Sequence, residues 1–324
     1  MKLEEKTLRL GAAAILAAVI LRIFAPSILP DIRYLFSPDG FVSLMLFGGT
    51  GRWVEASEDE EKNTPGAKED GPLQAVFSLQ ELGAVTLDNP QGYAVDMRQA
   101  LYTPLNWELS DGQPAVLIIH THTTEGFANS PNWRSTDEKC NMVSIGAQVA
   151  ARLEAAGIRV IHDRSVHDMP SYNDAYTSSR ASIQDYLARY PSIRLVLDLH
   201  RDTSADENGN QVGHTVSYNG TDAATMMLLV SAYDYDTADE QWLRNLAFAT
   251  KLQLQLEQLC PGVCRPMTLR SYSYGQDISP TGLLIEMGFA GNEQEEVLRS
   301  AQLLADAIIA LQHGSQIMTP VSAS

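Results

Sequence analysis

The chain has only three cysteines in 324 residues, Cys140, Cys260 and Cys264. An odd and small count excludes a disulfide framework, and three thiols cannot form a four-thiolate zinc site. Cys260-Pro-Gly-Val-Cys264 leaves two readings open, a local bridge across a turn or two reduced thiols. Basic residues are scarce as well: 23 Lys and Arg stand against 40 Asp and Glu, a net charge of −17. A phosphate backbone needs a basic face, so nucleic-acid binding is excluded as the main role. The chain lacks a Gly-x-Ser-x-Gly elbow, which removes the serine-hydrolase reading. It also lacks a phosphate loop and a dinucleotide fingerprint.

Membrane-length apolar sequence is limited to one stretch, Leu10 to Pro30. Leu10 to Leu21 is unbroken, Arg22 interrupts it, and Ile23 to Leu29 continues it. About 20 apolar residues span a bilayer, and an arginine near one end can reach the interface. Lys2, Lys6 and Arg9 precede the run, which places the leading end in the cytoplasm. No small-x-small cleavage site follows, so the run is expected to be a retained anchor and not a cleaved signal. The expected organisation is a cytoplasmic tip and transmembrane anchor (1–31), then a juxtamembrane segment and acidic linker (32–75). A catalytic domain (76–314, with a lead-in over 76–112) and a flexible tail (315–324) follow.

From Gln113 onward, short apolar runs alternate with segments of helical period. Strands are expected at Val116–His120, Arg159–His162, Leu195–Leu199, Gln211–Ser217, Thr225–Ser231 and Leu283–Met287. Helices are expected at Met142–Ala156, Ala175–Tyr190, Trp242–Leu259 and Glu293–Leu311. Alternation of this kind predicts an α/β fold, a central mostly parallel or mixed sheet with helices on both faces. Ligand sites in such sheets lie at the carboxyl ends of the strands.

Those ends carry the reactive residues. His122-Thr-Thr-Glu125 follows the apolar run Ala115 to Ile119, and His200 closes the run Leu195 to Leu199. Two imidazoles and a carboxylate, with a fourth position open for water, are the donor set of a catalytic zinc site. His122, Glu125 and His200 are therefore the expected ligands of one Zn²⁺. His120 competes with His122, and Glu138 competes with Glu125. Asp198 and Asp202 flank His200, and either can fix its tautomer through the non-ligating ring nitrogen. Arg201 is placed to stabilise an oxyanion. Glu286 stands inside the apolar run Leu283 to Met287, a costly position for a carboxylate unless it is paired or functional. It is the expected general base. The polar, aromatic stretch Ser171 to Arg180 is a candidate substrate contact.

Several stretches together carry a family resemblance: Ile119-His-Thr-His-Thr-Thr-Glu125, Gly157-Ile-Arg-Val-Ile-His-Asp163 and Val166-His-Asp-Met-Pro-Ser-Tyr-Asn173. Leu197-Asp-Leu-His-Arg-Asp202 and Leu284-Ile-Glu-Met-Gly-Phe-Ala-Gly-Asn292 complete the set. With them the chain resembles the stage II sporulation protein P family of endospore-forming bacteria. The resemblance implies a fold like that of zinc amidases and carboxypeptidases. It also implies a membrane-anchored peptidoglycan hydrolase of forespore engulfment, an N-acetylmuramoyl-L-alanine amidase with endopeptidase activity also attributed. The implied partners are the sporulation lytic transglycosylase (protein D) and the membrane protein M of the same stage. In related cell-wall amidases the ligand carboxylate lies well after the first histidine, as Glu138 does. In the carboxypeptidase pattern it follows by three, as Glu125 does, and the family motif carries Glu125. Two other readings are a zinc peptidase restricted to the stem peptide and a membrane-tethered scaffold with a vestigial metal site. The intact set His122, Glu125, His200 and Glu286 argues against the scaffold.

Overall fold

Strands β2 (Val116–Ile119), β4 (Leu195–Asp202) and β9 (Gly282–Phe289) lie side by side and parallel at the centre of a seven-stranded sheet. They form because each is a nearly continuous apolar run, the pattern of a strand covered on both faces. In the computed structural model, residues 83, 85–105, 107–233, 235 and 241–317 are described. All of these fall in one of the chain's two units, Asp70–Ser324. The expected anchor Leu10–Leu29, the acidic linker and the last residues of the tail lie outside them. Among the described residues no helix is long and apolar enough to cross a membrane.

The remaining strands of the sheet are β1 (Leu87–Asp88), β3 (Val160–His162), β7 (Met226–Ser231) and β8 (Met267–Arg270). The order is β1-β8-β7-β9-β4-β2-β3. β9, β4, β2 and β3 run parallel, β1, β8 and β7 run parallel, and the two blocks meet antiparallel at β7 and β9. The sheet is thus mixed. β1 and β8 have no sequence signal, and β1 makes part of the expected lead-in an edge of the sheet. The strand expected at Gln211–Ser217 is instead a separate hairpin, β5 (Thr215–Tyr218) with β6 (Thr221–Ala224). Its two-residue turn, Asn219-Gly220, has φ of 51° and 78°, as a tight hairpin requires.

The helices are α1 (Met97–Tyr102), α2 (Met142–Ala155), α3 (Ala175–Arg189), α4 (Gln241–Leu259) and α5 (Gln294–Ile317). Asn141 caps α2 by accepting from the Val143 N–H, and Gly157, at φ 84°, turns the chain away from its end. α2, α4 and α5 pack on one face of the sheet, against Val116, Ile118, Leu197, Leu199, Leu283 and Ile285. α3 packs on the other, where Ile183 meets Leu117, Ile119 and Val196. Strand alternation then puts Asp198, His200 and Glu286 on the α3 face.

Candidate active site

The ladder between β4 and β9 pairs His200 with Glu286. His200 lies inside the strand and not just past it, because β4 runs on to Asp202. Parallel neighbours in register present their side chains together on one face, so the imidazole and the carboxylate share a pocket. Beyond this pair the register shifts, and Asp202 pairs with Phe289. The shift falls at Gly288, whose φ of 74° suits a bulge that other residues resist. Asp202 consequently ion-pairs with Arg265 at 2.8 Å and does not orient His200.

The turn after β2 supplies the other two groups. His122, Glu125 and His200 are buried, and one potential ligand atom from each lies within 4.8 Å of the others. Nδ1 of His122 is 3.3 Å from Oε1 of Glu125, and Nδ1 of His200 is 3.7 Å from Oε2. Asp198 stands behind His200, its Oδ1 3.0 Å from Nε2. Asp198 is itself held by the Thr121 N–H and hydroxyl, at 2.9 and 2.6 Å.

His120 is not part of this group. Its Nδ1–H donates to the Leu199 carbonyl at 3.2 Å, and its Nε2 accepts from Nε2 of His162 at 2.8 Å. The carbonyl can only accept, so the tautomer is fixed and neither nitrogen of His120 keeps a free lone pair. Burial lowers the pKa of His120 to about 4 and of His162 to about 3, so both are neutral. Gly146 of α2 makes room for the two rings, since a Cβ there would lie 2.5 and 2.6 Å from their Nε2 atoms. Glu138 is also elsewhere: it is exposed and ion-paired with Arg164.

Arg201 sits beside Glu125 and braces its loop. Its backbone N–H donates to Glu125 Oε2 at 3.1 Å. Its Nε and Nη2 donate to the carbonyls of Gly126 and Trp133 at 3.1 and 3.0 Å. These bonds hold the loop that carries the ligand carboxylate, while Nη1 lies 4.0 Å from Glu125 Oε1.

The charge balance shows what the pocket needs. Burial alone would lower His200, but Asp198, then Glu125 and Glu286, outweigh it and hold the imidazole at about 10. Burial pushes Glu286 up to about 8, opposed by His200 and reinforced by Glu125 and Asp202. Burial also raises Glu125, and the His122 hydrogen bond, His200 and Arg201 outweigh it and bring it below the usual carboxylate range. Two buried carboxylates, Asp198 and Glu125, thus crowd one imidazolium, burial keeps the neighbouring Glu286 from adding its charge, and Glu286 Oε2 has no hydrogen-bond partner. A divalent cation between His122, Glu125 and His200 fits this shortage of positive charge, and the donor set suits zinc.

Tyrosines wall the pocket. The Tyr172 hydroxyl is 2.9 Å from His122 Nδ1, and the two rings are 4.2 Å apart. Tyr176, at the start of α3, lies nearly parallel to His200 with centroids 6.2 Å apart. Tyr272 and Tyr274, from the loop before β9, extend this wall, and no sequence pattern marks them. A cavity of about 700 Å³ adjoins Tyr172, lined by Thr124, Arg134, Ser135, Thr136, Asp168, Met169 and Pro170. Cys260 and Cys264, in the turn that follows α4, are both free thiols.

Comparison with known proteins gives one family. The profile of stage II sporulation protein P matches residues 52–309. The stage II sporulation protein P of Bacillus subtilis (strain 168) is 25% identical over 210 residues, which are 59% of this chain and 49% of that one. The chain thus matches about half the length of this curated relative. Among solved structures, an N-acetylmuramoyl-L-alanine amidase from Clostridium difficile 630 is 15% identical with a TM-score of 0.39, over 64% of this chain and 98% of that one. The amidase AmiC2 of Nostoc punctiforme is 14% identical with a TM-score of 0.36, over 63% and 97%. The CwlD amidase from Clostridioides difficile, in complex with the GerS lipoprotein, is 14% identical with a TM-score of 0.39, over 63% and 100%.

Proposed function

The chain belongs to the stage II sporulation protein P family, and from that premise we propose that it is a zinc-dependent N-acetylmuramoyl-L-alanine amidase acting on peptidoglycan. The observation that carries this reading is the convergence of His122, Glu125 and His200 beside the unpartnered carboxylate of Glu286. A zinc ion held by the first three would supply Lewis acidity and bring the pKa of water to about 7. Glu286 is the proton acceptor, because burial keeps its carboxylate basic and Oε2 is aimed at no other donor. It takes the proton of the attacking water and returns it to the departing nitrogen of L-alanine. Asp198 faces Nε2 of His200 and favours the tautomer that turns the Nδ1 lone pair toward Glu125. Arg201 holds Glu125 in place through its backbone N–H. Tyr172 and Tyr176 pack on the two imidazoles and limit access of bulk water.

Mass spectrometry of sacculi digested with the full-length protein in detergent tests the reaction. The amidase releases stem peptides with a free L-alanine amino group and leaves the lactyl carboxylate on the glycan. A stem-peptide peptidase would leave L-alanine bound to muramic acid, and a scaffold would release nothing. Either result overturns the proposal.

The proposed setting is the outer side of the cell membrane at the sporulation septum, tethered by Leu10–Leu29, with protein D and protein M as partners. The support is the apolar run with its flanking positive charges. Protease added to intact protoplasts should remove the catalytic part and leave a membrane-bound stub. A protected domain, or one freed by cleavage of the run, would contradict the placement.

A further inference from the structure

The structure assigns a second element of substrate recognition: we propose that Tyr176, Tyr272 and Tyr274 form a shelf on which a sugar ring of the glycan strand stacks. This inference rests on the amidase reading and adds where the glycan lies.

The three rings form a closed triangle. Tyr272 and Tyr274 are 5.0 Å apart by ring centroid, Tyr176 and Tyr272 are 5.5 Å apart, and Tyr176 and Tyr274 are 5.6 Å apart. Each pair is edge-to-face, an arrangement that aromatic quadrupoles favour. The shelf is continuous with the reactive centre, since Tyr176 also stacks on His200. Yet Tyr272 is 53% exposed. An aromatic ring held half in water beside a hydrolytic centre offers an apolar face and a polar rim, the two things a sugar ring presents in return.

The base of the shelf is built to stay put. Gln276 is buried, accepts from the Ser231 N–H and donates to the Leu229 carbonyl, both at 2.9 Å. Ser279 donates to the Gly275 carbonyl at 2.9 Å. Tyr274 itself sits at φ 49°, a left-handed conformation that costs energy for an aromatic residue. Folding alone does not explain that cost, because the loop could cross here with a glycine in the same conformation, as Gly275 does at φ 71°.

Charge decides between glycan and peptide. Stem peptides carry carboxylates, whereas the N-acetylated sugars and the amide-linked lactyl group are neutral. The cations near the shelf are matched: both terminal nitrogens of Arg180 reach the Asp277 carboxylate at 2.7 Å, and Arg270 is 3.7 Å from Asp88. Arg134, in the cavity past Tyr172, is likewise held by the Asp168 carboxylate. With the cations beside the shelf matched, its aromatic faces suit the neutral sugar.

The test uses peptide-free strands of N-acetylglucosamine, neutral as the amide-linked glycan is, so binding is read without turnover. With full-length protein in detergent, Tyr272→Ala should weaken affinity for these strands by roughly tenfold, the scale of one aromatic contact. Tyr272→Phe should restore it, because stacking needs the ring and not the hydroxyl. On intact peptidoglycan the alanine variant should raise KM by a similar factor with little change in kcat and no loss of zinc. A folded Tyr272→Ala protein that binds peptide-free strands as the wild type does would overturn the shelf, as would a loss confined to free stem peptides. Glycan binding that depends on Tyr272, in a protein that releases no stem peptide, would support the shelf and reject the amidase reading.

Discussion

Glu286→Gln is expected to keep the fold and the zinc of this protein while lowering turnover by about 10²–10⁴-fold, the usual contribution of a general acid–base group. Glutamine preserves size and can still hydrogen-bond, but it accepts no proton. The register of β4 and β9 holds position 286 opposite His200 whatever its charge. Release of free stem peptides from sacculi, followed alongside elemental analysis, gives both readouts. Near-normal release would remove Glu286 from the reaction, and loss of zinc would make it a ligand. The same variant should be more stable than the wild type once metal is chelated. Glu286 titrates at about 8 in the folded chain against 4.5 for a solvated glutamate. Between those values the folded state keeps a proton that the unfolded state has released. The Glu286 contribution to wild-type stability should therefore fall as pH rises from 4.5 and level off above 8, by an amount on the order of a few kcal/mol, while the loss from His200 continues to about pH 10 in both proteins. Below 4.5 both states are protonated and the penalty vanishes. Urea melts of the chelated proteins should show this slope in the wild type and its reduction in Glu286→Gln.

His122→Ala and His200→Ala are each expected to abolish stoichiometric zinc binding and, with it, activity. Losing even an indirect support of a metal site costs about 10–100-fold in affinity, and losing one of three direct ligands costs more. The two variants should differ in stability. His200 is the imidazole that Asp198, Glu125 and Glu286 jointly hold protonated in the absence of metal. Its removal leaves buried carboxylates without that countercharge, a strongly destabilising change. His122 shares Glu125 with His200 and Arg201, so His122→Ala should cost less stability and give a folded protein without metal. Glu138→Gln is the control: Glu138 is exposed and paired with Arg164, so zinc should remain at one per chain. Retained zinc in both histidine variants would disprove the site, and loss in Glu138→Gln would return that carboxylate to the ligand set.

Much of this centre is legible in the amino-acid sequence. Polar residues that end or interrupt buried apolar runs stand out, because burying them is costly without a partner or a task. That logic singles out His122, Glu125, His200 and Glu286, and all four meet in one pocket. It does not separate His120 from His122, since two-residue alternation loses its meaning once the strand turns. Nor does it separate Asp198 from Asp202, which share a face in an ideal strand. The bulge at Gly288 breaks that equivalence and sends Asp202 to Arg265.

The sequence by itself determined the α/β alternation, the principal helices and the identity of the chemically committed residues, because period and burial cost are local properties of the chain. Tertiary structure alone decided three further matters. It set the antiparallel junction of the two parallel blocks, because the period of β7 and β9 shows that they are strands but not in which direction they pair. It neutralised His120 by giving both of its nitrogens distant partners, Leu199 and His162. And it gathered Tyr176 with Tyr272 and Tyr274, nearly a hundred positions away, beside His200. Such contacts arise from how loops cross a finished sheet, and no local spacing in the chain encodes them.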